Sequence, residues 1–300
     1  MTSTPDARSD TGAFWPTLPQ NVGVLGGGRM GAGIAHAFLM AGCEVLVVER
    51  DLDAVQGAHV RVVLAVDKSV GMGLAGGPEV TTERIMERLR LSTNYAHFAP
   101  CALVVEAVPE IWDLKVASLQ GVEAHLADDA VLASNTSSLS MTGLAAELAR
   151  PQNFIGLHFF NPVPASALIE VVVARQTSAE LVTTAQGWVQ ALGKTAVVVN
   201  DAPGFASSRL GVAIALEAMR MVEEGVASAE DIDNAMVLGY KHPTGPLRTT
   251  DIVGLDVRLG IAEYLAETLG ERFAPPQILR DKVARGELGR KSGQGFFPWA

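Results

Sequence analysis

The sequence predicts an α/β protein: a mostly parallel sheet with helices on both faces, followed by a smaller all-helical domain. Three observations carry this. Short apolar runs alternate with helical periodicities through the first 200 residues, and a glycine-rich turn joins the first run to the first helix. After Asp201-Ala202-Pro203-Gly204 the strand signals vanish.

The elements follow in order. Val22-Gly23-Val24-Leu25 is a short apolar run ending in glycines and reads as a buried strand. Residues 29–41 place Met30, Ile34, Ala37, Phe38 and Ala41 on one helical side, and Gly42 closes that helix. Residues 44–49 form a second strand, and a long helix starts near Asp51. Residues 102–106 and 130–134 are strand-like, with a helix over 111–126 between them. Further strands are expected at 154–158, 168–174 and 195–199, with a helix over 178–192. Such alternation implies a parallel sheet buried on both faces. Beyond residue 200 one helix spans 208–224 and stops at Gly225, and Ser228 caps another with Asp231 three residues on. The expected organisation is a flexible tail over 1–20, a nucleotide-binding domain over 21–200 and a helical domain over 201–300.

Composition narrows the function. Hydrophobic residues make up 48% and charged residues 19% of 300, the mark of a packed globular chain. A net charge of −10 argues against nucleic acid or an anionic membrane as partner, since both need clustered Lys and Arg. Cys43 and Cys101 lie far apart with no metal-ligand spacing, which fits a reducing cytoplasm and no metal site. The tail has no apolar block of signal-peptide type, and no apolar run is long enough to span a membrane.

Gly26-Gly27-Gly28-Arg29-Met30-Gly31 is a GxGxxG sequence placed directly after a strand and opening a helix. Gly26 allows the tight turn, Gly28 lets a pyrophosphate approach the backbone, and Gly31 lets helix and strand pack closely. Arg29 and Met30 begin the helix whose free N–H groups face the phosphates. The fold class is therefore a Rossmann-type doubly wound sheet. Glu49 ends the second strand, where a carboxylate accepts hydrogen bonds from the adenosine ribose and repels a 2′-phosphate, so NAD is expected over NADP. Arg50 is the competing signal.

Leu157-His158-Phe159-Phe160-Asn161-Pro162 puts a histidine at the end of a strand, at the sheet edge where ligands bind in this architecture. Glu170 lies on the next strand, placed to face His158 across the pair. A histidine held by a carboxylate is a competent general base.

With these residues the chain resembles the 3-hydroxyacyl-CoA dehydrogenase family, particularly its short 3-hydroxybutyryl-CoA dehydrogenase members. The matching pieces are GGGRMGAGIAHAFLMAG, VVEAVPE, SNTSSL, GLHFFNPVP, LIEVV, NDAPGF, HPTGPL, DIVGLD and GRKSGQGFF, in family order from Val22 to Phe297. The resemblance implies reversible oxidation of a 3-hydroxyacyl thioester, with His158 taking the hydroxyl proton and Glu170 stabilising the imidazolium. It implies that Ser137 and Asn161 hydrogen-bond the substrate oxygens, and that Asn135, Glu110 and Lys115 line the cofactor. Ser137 also reads as a turn residue and Lys115 as a solvated helix charge. By resemblance, the helix after the second strand holds the adenylate end of CoA, and there the chain supplies Arg61 and Lys68. Two cations suit a phosphate, although one long helix often carries two solvated charges. One departure stands out. Where the family reads PGFxxNR, this chain has Pro203-Gly204-Phe205-Ala206-Ser207-Ser208-Arg209, so Ser208 replaces an Asn of the catalytic group.

The resemblance further implies a homodimer formed through the helical domain. Ser208 keeps specialised substrates open: an acyl group on an acyl carrier protein, or a free 3-hydroxy acid or 3-hydroxy amine. A nucleotide-binding regulator without catalysis is a third reading, opposed by the intact His158 and Glu170.

Overall fold

Every apolar run expected to be a strand forms one in the computed structural model, which describes residues 17–77 and 79–299. Most of the expected tail, residues 1–16, lies outside the described residues. The chain divides into two units. One runs to Asn135 and resumes at Ala145–Val198; the other joins Thr136–Leu144 to the chain from Val199 onward.

The first unit opens with β1 (Asn21–Leu25), α1 (Arg29–Met40), β2 (Glu44–Val48), α2 (Leu52–Gly71), α3 (Thr82–Met86) and β3 (Leu89–Ser92). It continues through β4 (Leu103–Glu106), α4 (Trp112–Glu123) and β5 (Val131–Ser134). After α5 (Met141–Ala146), most of which lies in the second unit's Thr136–Leu144 segment, the first unit resumes with β6 (Phe154–Phe159), β7 (Leu168–Val173), α6 (Ala179–Ala191) and β8 (Thr195–Asn200). The sheet order is β3-β2-β1-β4-β5-β6-β7-β8. Strands β3 to β6 pair in parallel across β2, β1, β4 and β5, whereas β6 and β7 run antiparallel. Chain order reverses direction between β1 and β4, which opens a ligand crevice at the carboxyl ends of those strands.

β3 escaped the sequence reading. It is four residues, Leu-Arg-Leu-Ser, at the sheet edge with Arg90 exposed, too short to carry a period and too polar to read as a buried run. The central strands are valine-rich and buried: Val22, Val24, Val45, Val47, Leu103 and Val105 share one core with Ile34 and Phe38 of α1 and Val62 and Val66 of α2. The helical periodicity of α1 thus meets the strand periodicity of β1 and β2 on one face of the sheet.

The second unit is helical from residue 207 onward, apart from short bridges: α7 (Ser207–Glu223), α8 (Ala229–Asn234), α9 (Pro246–Val253), α10 (Leu255–Leu269) and α11 (Gln277–Ala284). Val212, Leu216, Met219, Leu247, Leu255, Ala262, Leu265 and Leu279 form its core. The fully buried Asp251 carboxylate accepts the N–H groups of Phe296 and Phe297 and the indole N–H of Trp299, at 2.8–2.9 Å, and so fastens the C-terminal strap to α9. Among the described residues no helix is long and apolar enough to cross a membrane.

Two glycines of the first turn do different jobs. A Cβ at Gly31 would collide with the Gly26 carbonyl oxygen, whereas one at Gly28 would meet no atom within 4 Å. Gly31→Ala is therefore expected to lower stability by about 1–3 kcal/mol, the cost of forcing backbone apart. Gly28→Ala should stay within about 0.5 kcal/mol of the native chain. Denaturant melts of the two variants check this; equal losses would refute the packing account of Gly31.

Candidate active site

The glycine turn lies at the reversal point of the sheet. Gly26 has φ +88°, a left-handed conformation closed to most side chains, and its N–H donates to the Val48 carbonyl at 2.9 Å. Gly28 caps α1 with no side-chain hydrogen bond, and no acidic residue occupies the first turn. The N–H groups that open α1 are thus uncapped by protein side chains and suit an anion. The open side of Gly28 fits the same ligand, because packing does not demand a glycine there. Arg29 is exposed and Met30 half-buried beside it.

Glu49, half-buried just beyond β2, accepts the Gly27 N–H at 2.6 Å through Oε1 and the Arg50 N–H at 3.2 Å through Oε2. Its carboxylate is held against the nucleotide turn. The competing cation is turned away: Arg50 pairs with Asp51 at 2.9 Å and its side chain is 85% exposed. Arg61 donates to the Gly27 carbonyl at 3.2 Å, while Lys68 lies two turns along α2 and is exposed. The structure brings Arg61 to the nucleotide turn and leaves Lys68 apart from it.

Glu106, which the sequence reading did not single out, is fully buried at the end of β4. Its carboxylate accepts the Val108 N–H at 2.6 Å, the Lys115 ammonium at 2.7 Å and the Ser134 hydroxyl at 2.6 Å. Lys115 is 1% exposed, which rules out a solvated charge. Besides Glu106, its ammonium meets the Val108 carbonyl at 3.1 Å and Glu110 Oε2 at 3.3 Å, so its three N–H groups are spoken for. The Glu106 carbonyl accepts the Asn135 N–H at 2.8 Å. Asn135 Oδ1 in turn accepts the Phe159 N–H at 2.9 Å, which leaves the amide NH₂ as a donor for a ligand. The same hydrogen-bonded series runs from the β4–α4 loop to the end of β6.

That end carries His158. Antiparallel pairing of β6 with β7 sets His158 opposite Glu170, and His158 Nδ1–H donates to Glu170 Oε2 at 2.7 Å. Glu170 is fully buried and His158 is 6% exposed. With a carboxylate as acceptor, Nδ1 carries the hydrogen of the neutral imidazole. The Phe160 ring packs on the imidazole with centroids 4.4 Å apart. Asn161 follows, exposed, before a cis peptide to Pro162. Other histidines are engaged differently. His36 is buried on α1 against the Ser69 hydroxyl at 2.8 Å, and burial, with the nearby Lys194 charge, pushes its imidazole down to about 4.

Ser137 and Ser208 belong to the second unit. Thr136, buried, accepts the N–H groups of Ser138 and Leu139 and so ties the turn that presents Ser137 at the surface. Asp201, also missed, accepts the Ser140 hydroxyl and the Thr142 N–H, each at 2.8 Å, and anchors the same segment. Gly204 at φ +75° and Phe205 at φ +49° make two successive left-handed residues that turn the chain into α7, where Ser208 sits in the first turn. A buried phenylalanine in that region is strained, and such strain concentrates at functional segments.

Comparison with known proteins matches this layout. Residues 21–202 fit the model of the 3-hydroxyacyl-CoA dehydrogenase NAD binding domain, and residues 204–299 fit the C-terminal domain of the same family. The chain is 40% identical over 282 residues to a probable 3-hydroxybutyryl-CoA dehydrogenase of Deinococcus radiodurans, covering 92% of this chain and 99% of that one. It is also 40% identical to the 3-hydroxybutyryl-CoA dehydrogenase of Mycobacterium tuberculosis, over 93% and 98% of the two chains. The solved (S)-3-hydroxybutyryl-CoA dehydrogenase of Ralstonia eutropha superposes with a TM-score of 0.88 at 36% identity, covering 94% of this chain and all of that one. Two matched domains, a nucleotide turn at the sheet reversal and a histidine paired across β6 and β7 all agree: this chain belongs to the 3-hydroxyacyl-CoA dehydrogenase family.

Proposed function

We propose that this chain oxidises a short 3-hydroxyacyl-CoA, of the 3-hydroxybutyryl type, to the 3-ketoacyl thioester with NAD, reversibly. The observation that carries the reading is the buried His158–Glu170 pair, 2.7 Å apart at the carboxyl end of β6. NAD, when bound, supplies the hydride acceptor. The glycine turn and the first turn of α1 would hold its pyrophosphate and Glu49 its ribose, with Asn135 and Glu110 lining it. Lys115 acts through Glu110 and the Val108 carbonyl, since its own N–H groups are used.

His158 Nε2 takes the substrate hydroxyl proton as the hydride leaves C3. The imidazolium that forms is stabilised by the Glu170 carboxylate, which burial keeps free of competing water. Ser137 and Asn161 donate to the substrate oxygens, where negative charge gathers during transfer, and Ser208 occupies the position of a third such group. Lys68, exposed on α2, meets a CoA phosphate, with Arg61 shared between that role and the nucleotide turn.

The protein works as a homodimer formed by the second unit. Leu210, Val226, Leu238 and Tyr240 each expose more than half their surface there, beside an apolar groove of about 500 Å³ lined by Ile214, Met221 and Met236. Two free, buried cysteines, both with thiols pushed up to about 11 by desolvation, support a reducing cytoplasmic setting. Ser208 favours one alternative, a specialised substrate: a carrier-protein thioester, a free 3-hydroxy acid or a 3-hydroxy amine.

Three tests follow from these assignments. NADH should exceed NADPH by at least about tenfold in kcat/KM with acetoacetyl-CoA, and Glu49→Ala should narrow the gap. A native preference for NADPH would assign the dominant role to Arg50. His158→Gln should lower kcat by about 10²–10⁴-fold while NADH still binds, measured by fluorescence titration beside steady-state rates. A near-native kcat would remove His158 from the mechanism. Finally, Ser208→Asn should raise kcat/KM for acetoacetyl-CoA, because the longer amide restores a hydrogen bond that the shorter hydroxyl misses. If every substrate in an acyl panel, carrier-bound ones included, stays within about twofold, position 208 lies outside the working site.

A further inference from the structure

The second unit contains a buried cation without a counter-ion. Arg258 sits one turn into α10, is 8% exposed, and shares its inward face with Leu255, Ala262 and Leu265. Its guanidinium makes no hydrogen bond and no ion pair to any described residue; Nε is sealed and unpartnered. The two terminal nitrogens are equally unpaired but not sealed. Among the described residues other buried charges are answered: Lys115 by Glu106, Glu170 by His158, Asp251 by three N–H donors. Desolvating a guanidinium with nothing opposite it is costly, so an anion placed there would be strongly stabilised.

The surroundings say which kind. The guanidinium lies against Gly211 of α7: a Cβ there would be 3.4 Å from Nη1 and 3.8 Å from Nη2, ordinary contact distances. Packing therefore does not require a glycine, although glycine inside a helix weakens it relative to alanine. What its absence of side chain provides is an uncovered approach to the two terminal nitrogens. Ser208 lies three residues earlier on the same face of α7, and it is smaller than the Asn of the family pattern. Gly211 thus cuts α7 back in front of the buried arginine, one turn on from Ser208. The planar fork of a guanidinium pairs with a carboxylate through two parallel hydrogen bonds.

We propose that Arg258, approached over Gly211, is a carboxylate-recognition site for the far end of the acyl chain, so that the substrate class is a 3-hydroxyacyl thioester bearing a terminal carboxylate. This rests on the thioester-oxidation reading above. The α7 face that carries Ser208 sets the reacting end, and the acidic end lies one turn further along. Two other anions could answer the same cation: a phosphate of the CoA carrier, or a carboxylate of a second copy of the chain.

The test compares matched pairs of substrates, 3-hydroxyglutaryl-CoA with 3-hydroxyvaleryl-CoA and 3-hydroxyadipyl-CoA with 3-hydroxyhexanoyl-CoA, in NAD reduction. The native enzyme should prefer the carboxylate-ended member of at least one pair by about tenfold or more in kcat/KM, the scale of a charge-assisted hydrogen bond. Arg258→Met should abolish that ratio, and Arg258→Lys should retain part of it. Gly211→Leu should lower it too, by covering the guanidinium without removing the charge. Inhibition by free CoA and mass by light scattering complete the experiment. No carboxylate preference in an enzyme that turns over the methyl-ended substrates overturns the proposal and leaves the oxidation reading standing; turnover of neither kind overturns both. A ratio unchanged in Arg258→Met overturns it, as does weaker inhibition by CoA with the ratio intact, which assigns Arg258 to a phosphate. A change in mass with the ratio intact assigns it to the partner copy and also refutes the proposal.

Discussion

The Glu106 carboxylate holds the catalytic half of this protein together. It is buried at the end of β4, on one side of the sheet reversal, and collects the N–H of Val108, the ammonium of Lys115 and the hydroxyl of Ser134. The Val108 bond shapes the β4–α4 loop, which in turn lies against the glycine turn: a Cβ on Gly26 would come within 3.1 Å of the Ala107 carbonyl oxygen. The Ser134 bond and the Asn135 N–H tie β4 to β5, and Asn135 reaches on to Phe159 beside the histidine. One carboxylate thereby links the loop beside the glycine turn to the strand end that carries His158. Losing one partner of a buried ion pair typically costs about 3–5 kcal/mol because the other charge is left without compensation.

Around that centre the chain treats its charges by position. The net charge is −10, and three cations are set singly: Arg61 at the Gly27 carbonyl, Lys68 exposed on α2 and Arg258 against Gly211 of α7. Carboxylates at the site are each given a defined partner. Glu170 holds a histidine and Glu49 a backbone N–H of the nucleotide turn. Burial of both partners keeps bulk water from competing with the His158–Glu170 hydrogen bond.

The second unit obeys a plainer rule. Its helices bury Val212, Leu216, Met219, Leu255 and Leu265, and two acids, Asp233 and Asp251, gather the backbone donors of the α9 start and the C-terminal strap. The Asp233 carboxyl is pushed above its ordinary value by desolvation, held back by the N–H groups of Leu247 and Arg248. Such residues look like ordinary surface acids in a sequence. Only burial shows that they are structural, and only burial shows that Arg258 differs from other arginines.

By itself the sequence determined seven strands, the helices α1, α2, α4, α6, α7 and α8, the glycine turn, the acidic residue after β2 and the histidine at a strand end, because each depends on local periodicity or on a short motif. Strong apolar runs gave seven of the eight strands; β3 stayed hidden because an edge strand of four residues needs no hydrophobic period. Glu170 was legible because strand pairing has a fixed register, so a carboxylate on the next strand can be placed opposite His158. Tertiary structure alone decided what distant residues do to one another. Lys115 reads as a solvated helix charge until Glu106 is brought under it, Arg50 competes for a phosphate until Asp51 takes it, and Arg61 pairs with Lys68 on paper while its guanidinium bends to Gly27. Burial and partnership are properties of the folded neighbourhood, made by residues far apart in the chain, and no local pattern encodes them.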